Sequence, residues 1–268
     1  MPYFICGTCG TQYPESSEPP TSCPICQDER QYIGLDGQQW TTLEDLRKIH
    51  QNQFHELETN LTAIGTSPKI GIGQHALLLQ TPTMNILWDC ITLIDDDTIA
   101  RVRELGGVDL IVISHPHYYS TMIDWSETFD VPIIIHEDEK QWVMRPHENI
   151  QFWSGETRPL SDDLTLIRCG GHFSGGQVLH WSQGAAGQGV ILAGDIIQVV
   201  PDTRWVSFMY SYPNQIPLSA KKVQKIVQAV EPYKFDRIYS PWWKRHVLSD
   251  AKAAVKRSAE RYIKAIED

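Results

Sequence analysis

Two Cys-x-x-Cys pairs stand within the first 26 residues, Cys6-Gly7-Thr8-Cys9 and Cys23-Pro24-Ile25-Cys26, and they dictate how the start of this chain can fold. Each pair closes a small knuckle, so both of its sulfurs can reach one ion. Four thiolates in two such pairs make a tetrahedral all-sulfur site suited to zinc or a single iron. The loop between the pairs, from Pro14 to Ser22, is polar and rich in Pro and Ser. Too few apolar residues lie in this region to hold a fold unaided, so a bound metal is expected to supply the missing folding energy. Four of the six cysteines sit in these pairs, and Met1 to Ile5 lacks the basic start and apolar core of a secretory signal. Metal binding is therefore expected ahead of disulfides, and the cytoplasm ahead of an exported location.

The remaining composition narrows the function classes. The chain has 268 residues and a formal net charge of −10. That charge gives no electrostatic footprint for nucleic acid and argues against an anionic membrane surface. No apolar run is long enough to span a bilayer. The partner expected is a small-molecule substrate. Trp242 and Trp243 leave room for an interface between copies of the chain. The length fits one large domain plus a small module, divided here as residues 1–38 and 39–268.

Beyond Trp40 the pattern becomes α/β. Thr41 to Leu46 reads as a capped helix start, with Glu44 and Asp45 in its first turn. Strands are expected at 76–80, 85–88, 109–114, 131–136, 164–169, 178–181, 189–193 and 235–240, and helices at 98–105, 218–230 and 250–266. Strands come in groups with helices between them, which points to mixed sheets rather than strict βαβ alternation.

The chemistry gathers at strand ends. Ser114-His115-Pro116-His117 follows a buried strand, and two histidines two apart can chelate one ion. Cys169-Gly170-Gly171-His172 puts a third histidine after a strand, and Ala193-Gly194-Asp195 puts a carboxylate after another. One histidine alone is more often structural than a ligand. Three with an aspartate, each at a strand terminus, form a candidate metal site. Cys90 and Cys169 are expected to be buried and inert.

These residues carry two resemblances. The Cys-Gly-Thr-Cys-Gly-Thr-Gln-Tyr and Cys-Pro-Ile-Cys segments resemble rubredoxin and zinc-ribbon knuckles over about the first thirty residues, which implies a structural zinc, or an iron as in rubredoxins. From about residue 53 onward the order is Asp89, His-x-His, Gly-His, Gly-Asp and a final strand and helix. That order resembles the metallo-β-lactamase superfamily. The resemblance implies an αββα sandwich preceded by the four-cysteine ribbon. It places His115, His117 and His172 at the first metal site and Asp195 at the carboxylate that usually bridges two metals. Tyr119 and Ser120 stand where the second metal's aspartate and histidine belong, and tryptophan stands near the last histidine. The second site is thus expected to be dismantled. His246 and His75 are weaker candidates for the site or its pocket.

One metal with an open position can ionise a water near neutral pH. Asp195 is then a metal ligand or the proton acceptor, and Tyr119 or Tyr118 a donor to a developing oxyanion. The expected function is a metal-dependent hydrolase of an ester, thioester or lactone, with one zinc or iron at the histidines. Two alternatives stay open: an iron oxidoreductase using His115, His172 and Asp195, as in persulfide-oxidising relatives, and a non-catalytic member whose metal only supports the fold.

Overall fold

The computed structural model describes residues 1–267. The polar start of the chain forms strands Tyr3–Cys6, Gln12–Glu15 and Trp40–Thr41, with Tyr3–Cys6 in the middle of an antiparallel sheet. Pro24 sits at the first position of a one-turn helix, Pro24–Gln27, where a missing N–H costs nothing. The apolar material is as sparse as the composition implies. Ile5 and Ile25 are buried, and Tyr13 packs edge-on against Trp40 with ring centroids 5.0 Å apart.

This ribbon belongs to the first of two compact units, Met1–Ile135 with Lys140–Phe152. A seven-stranded sheet follows, its strands side by side in chain order: Gln51–Glu58, Leu61–Ser67, His75–Gln80, Asn85–Trp88, Leu110–Val112, Ile133–His136 and Ile150–Trp153. The first four are antiparallel neighbours. The pairings of Asn85–Trp88 with Leu110–Val112, and of that strand with Ile133–His136, are parallel, and each needs a helical crossover. Asp96–Glu104, capped by the Asp95 carboxylate, supplies one crossover and Met122–Phe129 the other. Alternate residues Ile64, Ala76, Leu78, Leu87, Ile111, Ile113, Ile133 and Ile135 share one apolar cluster with Val102, Trp125 and all four ribbon cysteines. The ribbon is therefore packed into the core of this unit, on the same sheet face as the crossover helices.

The second unit comprises His136–Glu139 and the described chain from Trp153 onward. Its six-stranded sheet runs Thr157–Pro159, Leu164–Arg168, Gln177–Trp181, Val190–Leu192, Arg237–Tyr239 and His246–Val247. Val190–Leu192 and Arg237–Tyr239 pair in parallel, with helix Ala220–Val230 in the intervening connection. Val223, Ile226 and Val230, spaced at helical turns, join Ala251, Ala254, Val255 and Ala259 of the last helix, Ala251–Glu267, in one core with Ile167, Val178, Ile191 and Ile238.

The expected strands and helices lie where the pattern placed them, within a few residues. Thr42 accepts from the Asp45 N–H as anticipated, but the helix it caps, Leu43–Leu46, is a single turn. The hairpin of Gln51–Glu58 and Leu61–Ser67 lies outside the expected elements. Gln51–Glu58 is polar along most of its length and is an edge strand, so it carries little alternation to read. Among the described residues no helix is long and apolar enough to cross a membrane.

Candidate metal centre

The four ribbon cysteines are all buried, and their Sγ atoms lie within 4.8 Å of one another. Cys6 Sγ is 3.5 Å from Cys26 Sγ, and Cys9 Sγ is 3.7 Å from Cys23 Sγ. Hydrogen bonds from its neighbours pull the Cys6 thiol down, while the same sharing pushes Cys9 and Cys26 up. Four buried sulfurs cannot all ionise against one another, and a divalent cation among them removes that conflict. Gly10 closes the first knuckle at φ +82°, donating from its N–H to the Cys6 carbonyl at 2.8 Å. The donor set fits an ion held tetrahedrally by four sulfurs.

The second group begins where the Leu110–Val112 strand ends. Asp89, buried at φ +61° after the neighbouring strand, accepts from the Ser114 backbone N–H at 2.7 Å and from Ser114 Oγ at 3.0 Å. With its proton committed to Asp89, Ser114 Oγ accepts from His115 Nδ1–H at 2.9 Å. Carboxylate, hydroxyl and imidazole thus form a relay that fixes the ring and makes Nε2 its lone-pair nitrogen. Pro116–Tyr118 is a single 3-10 turn that carries His117, whose ring centroid is 5.1 Å from that of His115.

In the second unit the Leu164–Arg168 strand ends at Cys169, and two glycines at positive φ turn the chain to His172. Gly171 is required there, since a Cβ would fall 2.6 Å from Ile226 Cδ1. His172 Nδ1 lies 2.7 Å from the Tyr210 carbonyl oxygen and 3.2 Å from that of Met209, so Nδ1 is the protonated nitrogen and Nε2 the one that carries the lone pair. Asp195 follows the Val190–Leu192 strand and is 4% exposed. Its Oδ1 accepts from the indole N–H of Trp242 at 3.0 Å, and its backbone carbonyl accepts from Tyr212 O–H at 2.8 Å. Burial and the charge of Asp195 push the Tyr212 phenol well above its ordinary range.

One ligand atom from each of His115, His117, His172 and Asp195 all lie within 4.8 Å of one another, and all four residues are buried. Three imidazoles and a carboxylate, with Nδ1 of two rings committed elsewhere, match the donor chemistry of a zinc or iron site. His75 and His246 are outside this group of four. His75 opens the His75–Gln80 strand, and burial pushes His246 down to about 4. Tyr119 is 1% exposed among the apolar residues of the first core, and Ser120 is also buried. Burial raises Cys90 well above its ordinary value, and Cys169 to about 12, so neither thiol ionises readily near neutral pH. Sequence reasoning missed the Ser114 relay. It noted tryptophan near the lost ligand, but not that its N–H engages Asp195.

No family model matches the chain. It is 54% identical over 268 residues, 99% of this chain and 97% of the relative, to the uncharacterized protein YmaE of Bacillus subtilis (strain 168). Among solved structures, the DIM-1 metallo-β-lactamase aligns with a TM-score of 0.60 at 15% identity, covering 81% of this chain and 98% of that one. VMB-1 gives 0.60 at 12% identity, covering 81% and 98%. The mono-zinc form of the metallo-β-lactamase FIM-1 from Pseudomonas aeruginosa gives 0.57 at 15%, covering 78% and 95%. The chain has the metallo-β-lactamase fold, with a four-cysteine cluster near its N-terminus.

Proposed function

The chain belongs to the family of the Bacillus subtilis protein YmaE, and from that premise we propose that it is a metal-dependent hydrolase working with one ion at the histidines. The observation that carries this reading is the convergence of His115, His117, His172 and Asp195 ligand atoms within 4.8 Å. When bound, zinc or iron there supplies a Lewis acid and a water that ionises near neutral pH. His115 and His172 hold their rings by Ser114 Oγ and by backbone carbonyls, so orientation is set before any substrate arrives. Trp242 fixes one oxygen of Asp195, and the carboxylate held in this way can ligate the ion or accept a proton. No step in this scheme is assigned to Tyr119, which is buried beside the first core. An ester, thioester or lactone carbonyl suits such a centre, which needs no second metal to stabilise a phosphoryl leaving group.

Elemental analysis of the wild type and of the His115→Ala/His172→Ala double variant tests the proposal. Two ions per chain are expected in the wild type, one on the cysteines and one on the histidines, and one in the variant. Iron at the histidine site would move the assignment to the oxidoreductase alternative. One ion in both proteins would leave only the ribbon metallated and sink the hydrolase reading.

A further inference from the structure

Ser120 stands three residues beyond His117, at the position where the fold's second metal would find a histidine. Its side chain is turned into a different set of contacts. Gln74 Nε2 donates to Ser120 Oγ at 3.1 Å, and Ser120 Oγ donates to the Cys90 carbonyl at 3.3 Å. Gln74 Nε2 also reaches that carbonyl, at 3.0 Å. The Ser120 backbone carbonyl accepts from the N–H of Gln12 at 3.0 Å, and Gln12 lies three residues past the ligand Cys9. Gln12 is itself pinned. Its Nε2 donates to Asp124 Oδ2 at 2.7 Å, and Arg145 bridges Gln12 Oε1 and Asp124 Oδ1.

The knuckle between Cys9 and Gln12 is also seated without spare room. A Cβ on Gly10 would fall well inside the contact distance of Thr92 Oγ1 and within 3.7 Å of Ser120 Oγ. A Cβ on Gly71 would lie 3.2–3.3 Å from the Cys9 carbonyl group and the Gly10 nitrogen. Gln12, Gln74, Thr92 and Ser120 are all buried, and Ser120 sits at φ +44°. Such a conformation persists only where the surroundings over-determine it. Here the surroundings are the ribbon knuckle, Gln74 and the Cys90 carbonyl.

We propose that the four-cysteine ribbon is the positioning element of the histidine loop. The metal-held knuckle fixes Ser120 through Gln12 and Gly10, and Ser120 fixes the turn that carries His117. Gln12 and Ser120 are positioning residues, and the ligand position given up at 120 has become the seat of the ribbon. The inference rests on the single-ion reading of the histidine centre.

Full-length protein loaded with cobalt(II) separates the two sites. Cobalt on four thiolates shows sulfur-to-metal charge-transfer absorption, and cobalt on imidazoles and carboxylate does not. Chelator competition then reads the affinity of the histidine centre in the wild type, Ser120→Ala, Gly10→Ala and Gly10→Ala/Thr92→Ala. Ser120→Ala and Gly10→Ala are expected to weaken the histidine centre about tenfold, the scale of lost orienting contacts around metal ligands, and to change its ligand-field bands. The thiolate band is expected to persist in both. Adding Thr92→Ala to Gly10→Ala removes the colliding hydroxyl but leaves an alanine at φ +82°, so it restores part of the affinity and not all of it. Wild-type affinity and bands at the histidine centre in both single variants overturn the proposal. If Gly10→Ala does not fold, Ser120→Ala decides on the same threshold. A wild type with no cobalt on its histidines would instead defeat the single-ion reading, so the two failures are distinguishable.

Discussion

At the scale of single residues, Asp195 shows how a buried carboxylate is held by a neutral donor. Its Oδ1 takes the Trp242 N–H at 3.0 Å, a charge-assisted bond to a residue that is itself 4% exposed. Trp242→Phe keeps the ring and deletes the donor. We expect it to weaken metal binding at the histidine centre by about tenfold, measured by chelator competition, with the ribbon ion retained. An unchanged affinity would show that the indole only packs. The candidate ligands were legible in the sequence because each follows within a few residues of an apolar strand run. Their supports were not. Asp89 and Ser114 are 25 residues apart, and Asp195 and Trp242 are 47 apart, so only the folded chain reveals these pairs.

At the scale of elements, the site depends on abrupt strand endings. Gly171, at φ +85° and 2.6 Å from the Ile226 Cδ1 for any added Cβ, lets His172 leave the Leu164–Arg168 strand at once. Gly171→Ala is expected to cost about 2 kcal/mol in urea unfolding, from backbone strain and overpacking together. Adding Ile226→Val should recover part of that loss. If Gly171→Ala unfolds at the wild-type midpoint, the turn is more adaptable than its geometry implies. Buried strands such as Leu110–Val112 were visible because apolar residues crowd them. Gln51–Glu58 was invisible because its two apolar residues, Phe54 and Leu57, are three apart and show no alternation, and its place is fixed by pairing with Leu61–Ser67. Local pattern cannot report a strand that tertiary pairing creates.

At the scale of the whole molecule, acid acts through histidines that are buried, His136 and His180, or half-buried, His246. Burial lowers His136, His180 and His246, the last to about 4. An unfolded histidine protonates near 6.5, whereas these resist until lower pH. Their contribution to stability is complete above pH 6.5 and falls as pH drops below it; for His246, lowered to about 4, it amounts to about 3 kcal/mol between pH 6.5 and 4. Chemical unfolding of His246→Gln is expected to show a shallower pH dependence than the wild type between pH 6.5 and 4, and parallel curves would reject the assignment. The seat at Ser120 has a consequence on a longer timescale. A histidine there would have to enter space held by Gln74, the Cys90 carbonyl and the Gly10 turn. A histidine at 120 therefore asks the docked ribbon or Gln74 to shift. On the single-ion reading, a return to two ions by way of position 120 would first require the ribbon to leave its seat, so docking makes the change hard to reverse.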